Sequence, residues 1–233
     1  MSEDGLAELS EFSLLAENAE QAGVAGPLPG VARVEAGTGA GRISALRWGP
    51  SSSQAPPRIV FLHGGGQNAH TWDTVIVGLG EPALAVDLPG HGHSAWREDG
   101  DYSPQLNADA LLPALRQHAS SADLVVGMSL GGLTAIRLAA VAPELVNELV
   151  LIDVTPSALQ RHSELTKEQQ GTVALMHGER EFPSFQAMLD LTIAAAPHRE
   201  VKALRRGVFH NSRRLDNGNW AVSYTHLTLP TKA

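Results

Sequence analysis

The chain has 233 residues, within the range of one α/β domain with a single buried core, and no apolar run approaches the roughly 18 residues of a membrane-spanning helix. Six of its 25 acids (Glu3, Asp4, Glu8, Glu11, Glu17, Glu20) lie in the first twenty residues, and the remaining 17 basic and 19 acidic residues leave a formal charge of −2. A nearly neutral body offers no general attraction to a phosphate backbone or an anionic lipid surface, and the absence of Cys excludes disulfides, thiolate catalysis and Cys-ligated metal clusters, so neither nucleic acid nor membrane is an expected partner.

The opening MSEDGLAELSEF has no basic stretch leading into an apolar one, so no signal peptide is expected and a cytoplasmic location follows. Residues 1–30 end in the breaker cluster GPLPG and read as a mobile acidic arm, with Leu6, Leu9 and Phe12 spaced for one face of a short helix. The core is expected over residues 31–156. VARVEAG and RISALRWG, separated by GTGAG, predict an antiparallel hairpin at a sheet edge. A strict alternation follows: strand RIVFL (58–62), a helix over 72–79, strand ALAVD (83–87), a helix over 104–118, strand DLVVG (123–127), a helix over 130–142 and strand ELVLIDV (148–154). Apolar runs that alternate with helices are buried on both faces, which predicts an α/β fold with a doubly wound, mostly parallel sheet. After Pro156 the strand signal stops, and amphipathic stretches at 164–176, 184–196 and 199–209 predict a helical cap over residues 157–221.

The most informative segment is VVGMSLGG (125–132), an apolar strand that runs through G-x-S-x-G into a helix-forming sequence. A nucleophile on so sharp a turn takes a strained backbone conformation, and the residues two before and two after it must lack a Cβ. Ser129 would then stand above the carboxyl edge of the sheet, with the Leu130 amide and the positive end of the following helix ready to stabilise an oxyanion. The same residues also suit an ordinary strand-to-helix turn in which Ser129 is the N-cap. A second segment, HGGGQ (63–67), closes the strand RIVFL. Its consecutive glycines let backbone amides approach a substrate oxygen, and the Gly65 amide is the second expected oxyanion donor. The loop lacks the Gly-Lys-Ser/Thr ending of a phosphate-binding loop, and GTGAG carries Arg42 where a dinucleotide fingerprint needs its third glycine.

FLHGGGQNAHTWD, VDLPGHGHSAW, VVGMSLGG and LVLIDVTP, in this order and spacing, resemble the α/β-hydrolase superfamily, in its branch with a helical cap after the sixth strand. The resemblance runs from about Val31 to Trp220. It implies a Ser, acid and His triad in chain order, no cofactor, and a small-molecule acyl substrate such as a carboxylic ester. Ser129 matches the family nucleophile, and a Ser there argues against relatives that attack through a carboxylate. Hydrolases of carbon–carbon bonds, thioesterases, lactonases and cofactor-free haloperoxidases share the scaffold, and a noncatalytic ligand-binding protein is the alternative of another class.

Asp153, at the end of the sixth strand, is the acid candidate, with a structural turn as its other reading. His63, His70, His91 and His93 all precede Ser129, the wrong order for the family base, and read as loop residues; no metal ligand set is expected. His162, His177, His198 and His210 fall in the cap region. His226 alone is late enough, yet no seventh or eighth strand precedes it. Val222 to Thr231 back-translates into a run resembling a transposase adaptor, so the tail 222–233 is expected to be foreign, the last strands of the fold to be missing, and the catalytic His to be absent, leaving the chain inactive.

Overall fold

A computed structural model describes residues 9–38, 41–49, 55–154 and 181–222. Its main sheet has the order β1-β2-β4-β3-β5-β6, built from β1 (Gly30–Thr38), β2 (Gly41–Gly49), β3 (Ile59–Leu62), β4 (Ala83–Val86), β5 (Leu124–Met128) and β6 (Glu148–Ile152). β1 and β2 form the antiparallel hairpin expected at the edge, β2 runs antiparallel to β4, and β3 to β6 are mutually parallel. Side chains alternate between two cores, as the period of a strand requires. Val60, Leu62, Leu84, Val86 and Val125 face α3 (Pro104–His118) and α4 (Leu130–Val141). Phe61, Ala83, Ala85 and Val126 face α1 (Leu15–Ala22), a 3-10 turn (Ala69–Trp72) and α2 (Asp73–Leu79). Helices on both faces make the sheet doubly wound. Fully buried leucines such as Leu62, Leu84, Leu111 and Leu138 are completely removed from solvent, each contributing about 2 kcal/mol of hydrophobic stabilisation.

The N-terminal segment departs from the expected mobile arm. Over its described part, residues 9–30, α1 buries Leu15 and Ala19 against the sheet and ends at Gly23 in the left-handed conformation (φ 69°). The acids that looked like uncompensated charge have distant partners: Glu11 pairs with Arg33, and Glu17 with Arg205 and Arg206. Asn18 donates to the Thr74 hydroxyl (2.9 Å), tying α1 to α2. Composition could not reveal this, because every partner lies outside the segment.

The region after the sixth strand also differs from a purely helical cap. The stretch 164–176 lies outside the described residues. α5 (Phe185–Ala195), capped by the Ser184 hydroxyl accepting from the Ala187 amide (3.0 Å), and α6 (Val201–His210) match the second and third stretches. Beside them stands a three-stranded antiparallel sheet, β7 (Glu181–Phe182), β9 (Trp220–Val222) and β8 (Ser212–Arg214), whose strands are too short to show a sequence period. Phe182, Phe185, Met188, Leu204, Val208 and Trp220 form its separate core. Val222, where the foreign tail was expected to begin, pairs with Ser212 in β9, and residues 223–233 lie outside the described residues. β6 is an edge of the main sheet among the described residues, with Val150 43% and Ile152 38% exposed. Among the described residues no helix is long and apolar enough to cross a membrane.

Candidate active site

Ser129 sits between β5 and α4 at φ 49° and ψ −113°, a backbone conformation that a residue with a side chain adopts only under constraint. The constraint comes from both sides: its amide donates to the Ile152 carbonyl (3.0 Å) and its carbonyl accepts from the Leu133 amide (3.0 Å). The side chain is exposed and makes no capping hydrogen bond to α4, so the N-cap reading fails. Gly127 and Gly131 are required by close approach. A Cβ on Gly127 would lie 2.6 Å from the Gly131 carbonyl oxygen, and one on Gly131 would lie 2.3 Å from the Leu62 carbonyl oxygen.

The glycine loop lies against this turn. An ideal Cβ on Gly64 would be 3.6 Å from the Ser129 Cβ. Each amide of the loop can be followed to its partner. Gly64 donates to Gln67 Oε1 (2.9 Å), Gly66 to His91 Nε2 (3.1 Å) and Gln67 to the Gly64 carbonyl (3.3 Å). The Gly65 amide has no partner among the described residues. The Leu130 amide, at the first position of α4, has no carbonyl four residues earlier within the helix. Among the described residues, neither the Gly65 nor the Leu130 amide has a partner, and the Ser129 side chain between β5 and α4 is exposed.

Two buried histidines brace the loop. His91 donates from Nδ1 to the Pro89 carbonyl (2.9 Å), leaving Nε2 as the acceptor for Gly66. His63 donates from Nδ1 to the Gly64 carbonyl (2.8 Å) and accepts the Leu88 amide on Nε2 (3.0 Å). Both rings must be neutral to accept. Burial, reinforced by the neighbouring His91, pushes His63 down to about 3, and burial also lowers His91.

The turn that carries Ser129 and Leu130 and the glycine loop that carries Gly65 thus adjoin at Gly64. Asp153 is exposed at φ 55°, one residue beyond the carbonyl that holds the Ser129 amide, and bonds to no described histidine. No described histidine bonds to the Ser129 hydroxyl. His162, His177 and His226 lie outside the described residues. The sequence reading missed Asp87, which is fully buried and accepts from the Ala69 amide (2.7 Å), the His93 amide (3.0 Å) and Arg33 Nη1 (2.7 Å). One carboxylate thereby joins the segment after the glycine loop, the PGHGHS turn and β1. An acid ending a fully apolar strand was the signal available for it.

The profile described as the alpha/beta hydrolase family matches residues 59–231. The esterase Rv0045c of Mycobacterium tuberculosis is 79% identical over 224 residues, covering 96% of this chain and 72% of the relative. A solved structure of that esterase, described together with its inhibition by transition metals, superimposes with a TM-score of 0.82 at 79% identity, covering 94% of this chain and 73% of the other. The lipase LipV of the same organism is 37% identical over 108 residues, 46% of this chain and 40% of its own.

Proposed function

The chain belongs to the alpha/beta hydrolase family, and we propose that within it the chain is a serine hydrolase that cleaves small carboxylic esters through an acyl-enzyme. One observation carries this reading: the glycine loop lies against the strained turn that exposes the Ser129 hydroxyl, 3.6 Å separating the Gly64 Cβ position from the Ser129 Cβ. The 79% identical esterase supports the choice of ester over the other acyl substrates of the scaffold.

In this mechanism Ser129 Oγ attacks the ester carbonyl carbon, and the carbonyl electron pair moves to oxygen. The Gly65 and Leu130 amides donate to that oxyanion, each such donor lowering the barrier by about 3 kcal/mol. Collapse of the intermediate expels the alcohol with the proton taken from Ser129, and water then repeats the attack to free the acid. His91 and Gln67 act through the loop: by occupying the Gly66 and Gly64 amides they leave Gly65 as the donor that points to substrate. A base must receive the Ser129 proton, and Asp153 is the acid we assign to orient it. The cytoplasmic location expected from the N-terminal sequence belongs to the same proposal.

Labelling with a fluorophosphonate probe, followed by peptide mapping, tests the assignment. The adduct is expected on Ser129 and disappears in Ser129→Ala; a probe that never modifies Ser129 refutes it. Rates on p-nitrophenyl esters against a vinylogous diketone separate ester from carbon–carbon cleavage, and ester turnover is expected to be faster by orders of magnitude. An oxyanion hole with binding alone retains about 10³–10⁴-fold acceleration over water, so ester turnover is measurable even where the base is poorly placed.

A further inference from the structure

The N-terminal segment carries one side chain that the ester mechanism does not use and that reaches the segment following the glycine loop. Glu11 keeps only 27% of its side chain exposed. Its Oε1 accepts from Arg33 Nε (2.8 Å), from Arg33 Nη2 and from His70 Nε2 (3.1 Å). Arg33, on β1, donates from Nη1 to Asp87 Oδ2 (2.7 Å) and to the Ser44 hydroxyl (2.8 Å). Asp87 in turn accepts the Ala69 amide on Oδ1 (2.7 Å). Ala69 and His70 are neighbours in the chain, so these contacts close into a ring that runs Glu11, Arg33, Asp87, Ala69, His70 and back to Glu11.

Charge and burial make this ring stiffer than a set of surface ion pairs. His70 donates from both ring nitrogens, to Glu11 and to Asp73 Oδ2 (2.8 Å), and is therefore an imidazolium. Burial alone would lower its pKa, but the hydrogen bonds to Asp73 and Glu11 raise it to about 9. Burial would likewise raise Glu11, yet the hydrogen bonds from His70 and Arg33 hold it at about 2. Asp87 is fully buried, and a Cβ on Gly92 would lie 2.3 Å from its Oδ1, so the PGHGHS turn closes tightly over it. The other acid that ties down α1, Glu17, pairs instead with Arg205 and Arg206 of α6.

The glycine loop is anchored at its near end by β3 and His63. At its far end Gln67 binds back to Gly64 twice, through Oε1 and through its own amide. The next residue, Asn68, accepts the His70 amide on Oδ1 (2.9 Å). A shift of residues 69–70 is thus passed through Asn68 and Gln67 to the loop. We propose that Glu11 is a positioning residue for ester hydrolysis, a role that rests on the ester reading of Ser129: through Arg33, Asp87 and His70 it clamps residues 69–70 and so sets where the Gly65 amide stands relative to Ser129.

Glu11→Ala removes the shared acceptor, Glu11→Gln keeps an oxygen without the charge, and Glu17→Ala removes the other tie of α1 as a control. Amide hydrogen exchange over residues 63–70 reads the clamp. The rate of fluorophosphonate labelling at Ser129, with kcat and KM on a p-nitrophenyl ester, reads its consequence, each variant being assayed below its own melting temperature. Glu11→Ala is expected to speed exchange in 63–70 and to lower labelling and kcat about tenfold, less than the about 10²-fold of a full 1 Å misplacement, with KM changed by less than about twofold. Glu11→Gln should fall between this variant and the unmodified chain. Glu17→Ala should lower the melting temperature and leave exchange in 63–70 and labelling unchanged. Unchanged exchange in Glu11→Ala, faster exchange with unchanged labelling, or an equal fall in Glu17→Ala overturns the role of Glu11 and leaves the ester reading standing. An unmodified chain that is never labelled at Ser129 overturns the ester reading, and the role of Glu11 with it. Glu11→Gln decides the matter alone if Glu11→Ala does not fold.

Discussion

Gly131→Ala tests whether the distance between α4 and β3 sets the geometry of the reacting groups. Ala is a better helix former than Gly by about 1 kcal/mol, so in an open helix this substitution stabilises. At position 131 the new Cβ would lie 2.3 Å from the Leu62 carbonyl oxygen, 2.5 Å from its carbon and 2.6 Å from the His63 oxygen, where ordinary contact begins at 3.4 Å. All three are backbone atoms at the end of a central strand and cannot rotate away, so α4 must withdraw by about 1 Å. Forced overpacking of this kind costs about 1–3 kcal/mol; set against the gain in helix propensity of about 1 kcal/mol, the variant should lose up to about 2 kcal/mol. The same withdrawal carries Ser129 and the Leu130 amide away from Gly65, and a misplacement of about 1 Å lowers rates by about 10²-fold. Urea unfolding gives the first quantity, and the rate of fluorophosphonate labelling gives the second. Gly207→Ala is the control: nothing lies within 4 Å of its Cβ position in α6, so it should stabilise by about 0.4–1 kcal/mol and label normally. A Gly131→Ala chain as stable as the parent, with unchanged labelling, refutes the argument.

His91→Ala leaves the part-buried Gly66 amide without its acceptor, which should cost about 1 kcal/mol in unfolding experiments; ester turnover should fall mainly in kcat, with partial recovery in His91→Gln, which keeps an acceptor. Acid should destabilise the fold through His63. Its folded value, about 3, lies below the ordinary 6.5, so the unfolded chain gains a proton that the folded chain refuses. Stability, measured by urea unfolding from pH 7 to pH 4, is therefore expected to decline as the pH falls from about 6.5 toward 3, and a flat profile contradicts the assigned burial. Ser129→Gly should abolish labelling while raising stability by up to about 1 kcal/mol, because the positive φ of 49° costs glycine little. A lower melting temperature for that variant would show that the turn is not strained.

The central parallel strands and the helices between them were legible because each signal is local. A run such as ALAV, buried on both faces, has few alternatives, and α3 spans Pro104–His118 as its pattern and leading Pro indicate. The serine turn was legible for the same reason: Gly127, Ser129 and Gly131 are constrained by atoms within a few residues or by the adjoining strand. The short strands β7, β8 and β9 were not, since two or three residues carry no period. The packed state of α1 was hidden because Glu11 and Glu17 find their arginines 22 and 188 residues away.

The amino-acid order by itself determined the doubly wound architecture, the elbow at Ser129 and the candidate donors Gly65 and Leu130, all consequences of side-chain period, steric demand and the absence of a Cβ. Tertiary structure alone decided which loop amide stays free, since that depends on His91 reaching Gly66 across 25 residues. It also decided that His70 and His210, read separately as loop and cap residues, stack at 3.7 Å. The physical reason is the same in both cases: a hydrogen bond or a ring stack is specified by distance in space, and distance between remote segments is fixed only when the two cores have packed.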